Sequence, residues 1–197
     1  MPNWCFNKIT INHESETELE KLSKLIDEWT SKDYMENGFG HNWLGNIVLG
    51  SGVGTVDTDK ETDLRCRGTI TYSEVCGNQL IIDTETAWSP MLQMWVKVID
   101  KYLPDAELIY SSEECGCGLY STNDPCMKDC YIIDSWDMDD IEPDWEASEE
   151  TVRKTLQELL DTTETDVEKL LKMFEESEYS DGMSIHKWDF DDINMWE

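Results

Sequence analysis

The stretch Thr69-Ile70-Thr71-Tyr72-Ser73-Glu74-Val75-Cys76-Gly77-Asn78-Gln79-Leu80-Ile81-Ile82-Asp83-Thr84 sets β-branched and apolar residues on either side of a Gly-Asn pair. Branching at Cβ favours extended backbone, and Gly-Asn tolerates the dihedral angles of a tight reversal, so residues 65–74 and 79–84 read as a hairpin. Working back toward the N-terminus, Ile9 and Ile11 alternate with Lys8, Thr10 and Asn12, which is the period of a strand over residues 4–12 with one buried face. Leu19, Leu22, Leu25, Ile26 and Trp29 then recur at helical spacing, with Ser15 and acidic residues at the start, where they suit the helix dipole. Beyond the hairpin, Ser89-Pro90 reads as a helix entry, followed by the stripe Met91, Trp95, Val98, Ile99 and Tyr102 up to Pro104. Residues 106–111 form a last short strand. The order β, α, β, β, α, β predicts an α+β, ferredoxin-like arrangement over residues 1–122, a four-stranded antiparallel sheet backed by two helices. Residues 31–64, rich in glycine (Gly38, Gly40, Gly45, Gly50, Gly52, Gly54), read as an elaborated connection.

After Pro125 the composition changes to acidic residues interleaved with Trp and Met, which marks a second domain over residues 123–197. Val152, Leu156, Leu159 and Leu160 predict one helix. Val167, Leu170, Leu171 and Phe174 predict another, opened by the capping box Thr165-x-x-Glu168, and the short link between them predicts an αα-hairpin. A repeat brackets the pair: Trp136-Asp137-Met138-Asp139-Asp140-Ile141 and Trp188-Asp189-Phe190-Asp191-Asp192-Ile193. If both copies are strands paired side by side, their aspartates form an acidic ribbon with a carboxylate every ~6.6 Å, close to the spacing of phosphates on a nucleic-acid strand. The second domain is thus a small acidic extension of helices and strands.

Charge is the dominant compositional fact: 44 Asp and Glu stand against 15 Lys and Arg, a net charge of −29. Residues 129–197 hold 23 of the acids and five of the bases. A duplex carries one phosphate per ~1.7 Å of axis, so the excess of 18 matches roughly 30 Å of DNA. Such a surface repels phosphate and anionic lipid, which excludes direct binding of nucleic acid. No apolar run approaches membrane-spanning length, and the N-terminus lacks the features of a signal peptide, so a cytoplasmic location is expected. Seven cysteines without an export signal read as free thiols.

Three motifs resemble a known family. The opening Met1-Pro2-Asn3-Trp4-Cys5-Phe6-Asn7, then Thr86-Ala87-Trp88-Ser89-Pro90, then Glu113-Glu114-Cys115-Gly116-Cys117-Gly118-Leu119-Tyr120 are similar, in this order, to the ferredoxin-like domain of the YubB type found in phages and conjugative plasmids. The resemblance covers about residues 1–122. It implies a fold and a mobile-element origin, and it supplies no catalytic residues. The long acidic extension departs from the family pattern.

Chemistry-bearing patterns are sparse. Cys115-x-Cys117 and Cys126-x-x-x-Cys130 offer four thiolates to zinc at spacings unlike a metal knuckle, and no run matches an iron–sulfur cluster. His13, His41 and His186 are scattered. Gly50-Ser51-Gly52-Val53-Gly54 lacks the lysine of a phosphate loop. Asp57, Asp59, Glu61 and Asp63 alternate like a calcium loop, without its glycine or its closing glutamate. The expectation is therefore a protein without catalytic residues, metal or cofactor.

The acidic surface, with the phage or mobile-element origin that the resemblance implies, leads to the expectation of an anti-CRISPR or antirestriction inhibitor that mimics nucleic acid and engages a host nucleic-acid-binding nuclease. Its expected partner-binding residues are Asp137, Asp139, Asp140, Glu142, Asp144, Asp189, Asp191 and Asp192 of the repeat region, with Glu158, Asp161, Glu164 and Glu168 of the helices. The alternative is an adaptor or regulatory module of a mobile element that binds protein without mimicry.

Overall fold

The computed structural model of the chain describes residues 3–34, 38–56, 61, 63–64, 66–138 and 140–191. Asp57, Asp59, Arg65, Asp139, Asp192 and Ile193 lie outside these ranges, as do Met1 and Pro2 of the opening motif. The chain divides into two compact units, Met1–Ser121 and Thr122–Phe190, and Asp191 goes with the first. No helix among the described residues is long and apolar enough to cross a membrane.

In the first unit, strand β1 (Trp4–Asn12) buries Cys5, Asn7, Ile9 and Ile11 and turns Trp4, Phe6 and Lys8 outward. Helix α1 (Glu16–Thr30) follows and buries Leu19, Leu22, Ile26 and Trp29. The hairpin is β2 (Gly68–Cys76) and β3 (Gln79–Ala87), reversed at Gly77, whose φ of +59° is where glycine avoids the Cβ penalty. Helix α3 (Leu92–Tyr102) and strand β4 (Glu107–Glu114) complete the expected elements. Ser89 does not cap α3: its N-cap is Met91, and no side chain caps it. β3 and β4 both run antiparallel to β1, with Ile9 opposite Ile82 and Tyr110.

Two additions overturn the expected four-stranded, two-helix arrangement. β4 turns into a further strand, β5 (Leu119–Thr122), so the order within this unit is β2-β3-β1-β4-β5. In addition, the glycine-rich segment holds a third helix, α2 (Leu44–Ser51), which buries Leu44, Ile47 and Val48. Its glycines serve close packing rather than flexibility. A Cβ on Gly45 would lie 2.2 Å from Trp43 Cζ2, and one on Gly50 would lie 2.5 Å from Trp29 Cδ1. The helix ends at Gly52, at φ +67°, and the Ser51 carbonyl accepts hydrogen bonds from Lys101 Nζ at 2.6 Å and the Tyr102 hydroxyl at 2.9 Å. All three helices pack on the apolar half of the sheet face formed by Ile9, Ile11, Leu80, Ile82, Leu108 and Tyr110.

The second unit has a sheet of its own. β6 (Tyr131–Ser135) lies between β7 (Asp144–Ala147) and β8 (Met183–Lys187), antiparallel to both. Helices α4 (Glu149–Leu159) and α5 (Val167–Glu175) complete a core of Tyr131, Ile133, Ala147, Val152, Leu156, Leu170, Phe174, Met183 and Ile185. The Ser148 hydroxyl caps α4 by accepting from the Thr151 amide at 3.1 Å. At α5 the cap is Asp166, accepting from the Lys169 amide, one residue beyond the expected Thr165.

The acidic ribbon is corrected too. Among the described residues, those of the first copy are irregular chain beyond β6, and in the second only Asp189–Phe190 is extended, as the short β9. The strands themselves fall where apolar residues can reach the core. Yet the repeat has a structural counterpart: the Trp136 amide donates to the Gly182 carbonyl at 3.1 Å and the Trp188 amide to the Cys130 carbonyl at 3.1 Å. Each copy therefore extends one end of the β6–β8 ladder.

Candidate functional site

Helical spacing builds one wall of a cleft in the second unit. Thr151, Thr155 and Glu158 recur at i, i+4 and i+7 along α4, on a face beside the buried stripe of Val152 and Leu156. The facing wall is Asp140, Ile141 and Glu142 of the β6–β7 connection and Asp144 of β7, while Ile133, Ile141 and Leu159 supply apolar surface. The cleft is open to solvent and has a volume of about 420 Å³. The connection is held by the Ile141 amide on the Met138 carbonyl at 3.2 Å and by the Ser135 hydroxyl, which donates to the Ile141 carbonyl.

Four carboxylates thus surround one cleft: Asp140, Glu142, Asp144 and Glu158. None of them makes an ion pair among the described residues. Elsewhere in the unit Lys154 pairs with Glu150 at 2.7 Å, Lys169 with Glu164 at 3.6 Å and Asp166 at 3.7 Å, and Lys187 with Asp129 at 3.7 Å. Asp144 accepts the Glu146 amide at 2.9 Å, which fixes its orientation. Carboxylates of like charge around an apolar floor attract a cationic group and offer it several acceptors.

The remaining expected residues scatter. Asp137 is exposed just beyond β6, Asp161 is exposed after α4 at φ +46°, and Glu168 is exposed in the first turn of α5. Glu164 does local structural work, accepting the Thr165 and Asp166 amides at 2.8 and 3.1 Å; these bonds, that from Asp166 first, hold its carboxyl below the usual range. Asp189 is exposed on β9. Asp191 belongs with the first unit, near Tyr110, whose hydroxyl is pushed up to about 12 chiefly by burial, with the Asp191 charge adding to it. Asp139 and Asp192 lie outside the described residues. The sequence reading missed Thr151 and Thr155, although their spacing with Glu158 was visible.

A different carboxylate was missed in the first unit. Glu114, at the end of β4, is 2 % exposed and accepts the Gly116 and Cys117 amides, both at 2.8 Å. The Cys117 thiol is the largest influence holding the Glu114 carboxyl below its ordinary range, and Glu114 in turn raises the thiol. Around it, Asn7 donates to Thr86 Oγ1 at 2.8 Å and Thr84 Oγ1 at 3.2 Å, and Cys5 donates to Asn7 Oδ1 at 3.1 Å. Burial pushes the Cys5 thiol up to about 12. The Glu114 network closes the turn of the Glu113–Tyr120 motif. Among the described residues, Cys115, Cys117, Cys126 and Cys130 included, no three His, Cys, Asp or Glu side chains are grouped to hold a metal ion.

No protein-family model, curated protein or solved structure matches the chain.

Proposed function

We propose that the chain is a non-enzymatic inhibitor of phage or mobile-element origin. It acts in the host cytoplasm by placing the acidic surface of its second unit in the basic nucleic-acid channel of a defence nuclease, a CRISPR effector or restriction enzyme. The observation that supports this reading is the cleft of Asp140, Glu142, Asp144 and Glu158, four carboxylates without an ion pair among the described residues. Arg and Lys that otherwise hold phosphates pair with such carboxylates, and the net charge of −29 steers the encounter. Neither the YubB-type resemblance nor the mimicry is needed for the cleft to bind a cation.

The apolar floor of Ile133, Ile141 and Leu159 favours a second reading, an adaptor that receives one cationic side chain of a partner protein. The two differ in competition. The test is a full-length Asp140→Asn, Glu142→Gln, Asp144→Asn, Glu158→Gln variant, compared with the wild type for capture of host nucleases and for block of their DNA or RNA binding. Loss of the block with the fold intact supports mimicry. Capture of partners whose nucleic-acid binding is unaffected supports the adaptor, and a nuclease blocked equally by the variant refutes the assignment to this cleft.

A further inference from the structure

The outer face of the first unit's sheet carries exposed aromatic residues that the cleft does not use. β1 alternates, so the neighbours of buried Cys5 and Asn7 turn the other way, and Trp4 and Phe6 are each about half exposed at 47 % and 48 %. Strand register fixes what flanks them. Phe6 lies opposite Glu85 of β3 on one side and Glu113 of β4 on the other, and Trp4 lies opposite Ala87. Lys8, the next outward residue on β1, stands opposite Asp83.

Trp88 is next in the chain to Ala87, the residue opposite Trp4, and is held under strain. It is 50 % exposed and adopts φ +72°, a left-handed conformation rare for a bulky side chain, and its amide donates to the Asn3 carbonyl at 3.0 Å. That bond ties the end of β3 to the start of β1, beside Trp4. A large apolar ring kept exposed on a strained backbone contributes little to folding, and such outliers gather at binding sites.

Aromatic faces attract cations through the ring quadrupole, and carboxylates beside them add charge. Phosphate is disfavoured by Glu85, Asp83 and the net charge of −29. We infer that the sheet face of Trp4 and Phe6, with Glu85 and the adjoining exposed Trp88, is a docking surface for an arginine-bearing segment of a partner protein. Guanidinium is preferred over ammonium because its plane stacks on the rings while its edge meets the carboxylate. This surface is on the other unit from the acidic cleft and stands whether or not the cleft binds a nuclease.

The experiment uses the full chain labelled with 15N-tryptophan and a capped Gly-Arg-Gly-Arg-Gly peptide, its Lys counterpart and a short single-stranded oligonucleotide as probes, at 1 M salt, where the Debye length is about 3 Å. The indole signals of Trp4 and Trp88, assigned by their loss in Trp4→Phe and Trp88→Gly, should move with the Arg peptide, and more weakly with the Lys peptide. Phe6→Ser and Glu85→Gln, each checked for folding by thermal melting, should weaken Arg-peptide binding about five- to tenfold. The fourfold cleft variant should bind this peptide as the wild type does. Unmoved indole signals, equal response to Arg and Lys, a response to the oligonucleotide instead, or wild-type affinity in folded Phe6→Ser and Glu85→Gln would each overturn the inference.

Discussion

Two carboxylate environments, one in each unit, use the same chemistry to opposite ends. In the first, Glu114 is buried and met by two backbone amides and a thiol, so its charge closes a turn. In the second, Asp140, Glu142, Asp144 and Glu158 surround a cleft with no cation paired to them among the described residues. A satisfied buried charge stabilises the fold; grouped charges without counterions cost stability through repulsion and are available to a partner. Net charge alone does not distinguish the two. The tryptophans of the repeat show the same divergence: Trp188 is 5 % exposed with its indole N–H on the Trp145 carbonyl at 2.9 Å, whereas Trp136 is 59 % exposed.

The contrast can be broken or sharpened by substitution. The largest effect belongs to Trp188→Ala, expected to destabilise the second unit by about 3–5 kcal/mol in chemical denaturation, against under about 1 kcal/mol for Trp136→Ala. Equal losses would show that the two repeat copies are equivalent after all. Gly45→Ala should cost about 1–3 kcal/mol, because the added methyl meets the Trp43 ring; a neutral result would show that close packing at Gly45 is not required.

Glu114→Gln comes next, with a melting temperature lowered by a few degrees at neutral pH. The pH dependence has a definite sign. The folded-state pKa of Glu114 is depressed, so its contribution is present above the ordinary carboxyl range and is lost as pH falls from that range through the depressed value. The difference between wild type and Glu114→Gln should therefore narrow in acid, and a gap independent of pH would mean that packing, not ionisation, is responsible. Smallest is the effect of the fourfold cleft variant, whose stability should match or exceed the wild type's within about 1 kcal/mol. A marked loss would place these carboxylates with Glu114 as structural groups.

Much of the local structure was legible. Alternation of Ile9 and Ile11 located β1, the β-branched runs around Gly77 located the hairpin, and the 3.6-residue stripes located α1, α3, α4 and α5. These signals are local, since a strand or helix that buries one face writes its own period into the sequence. α2 was not legible because glycine is ambiguous: it marks a turn where it supplies unusual dihedral angles and a close contact where it removes a side chain, and only the positions of Trp43 and Trp29 distinguish the two. The sheet of the second unit escaped for a related reason. Tyr131-Ile132-Ile133 is a short apolar run without alternation, which is compatible with strand or helix, and its partner Met183–Lys187 lies about fifty residues away.

By itself, then, the sequence determined the acidic character, its concentration toward the C-terminus, the two-part organisation and the type of most elements, because composition and periodicity need no knowledge of neighbours. Only the tertiary structure decided which carboxylates meet. Asp140, Glu142 and Asp144 come from a connection and a strand, Glu158 comes from a helix, and Glu164 is diverted to cap the next one. Equivalent residues in the sequence acquire different roles there, because the cost or use of a charge depends on the groups folding brings within a few ångströms of it.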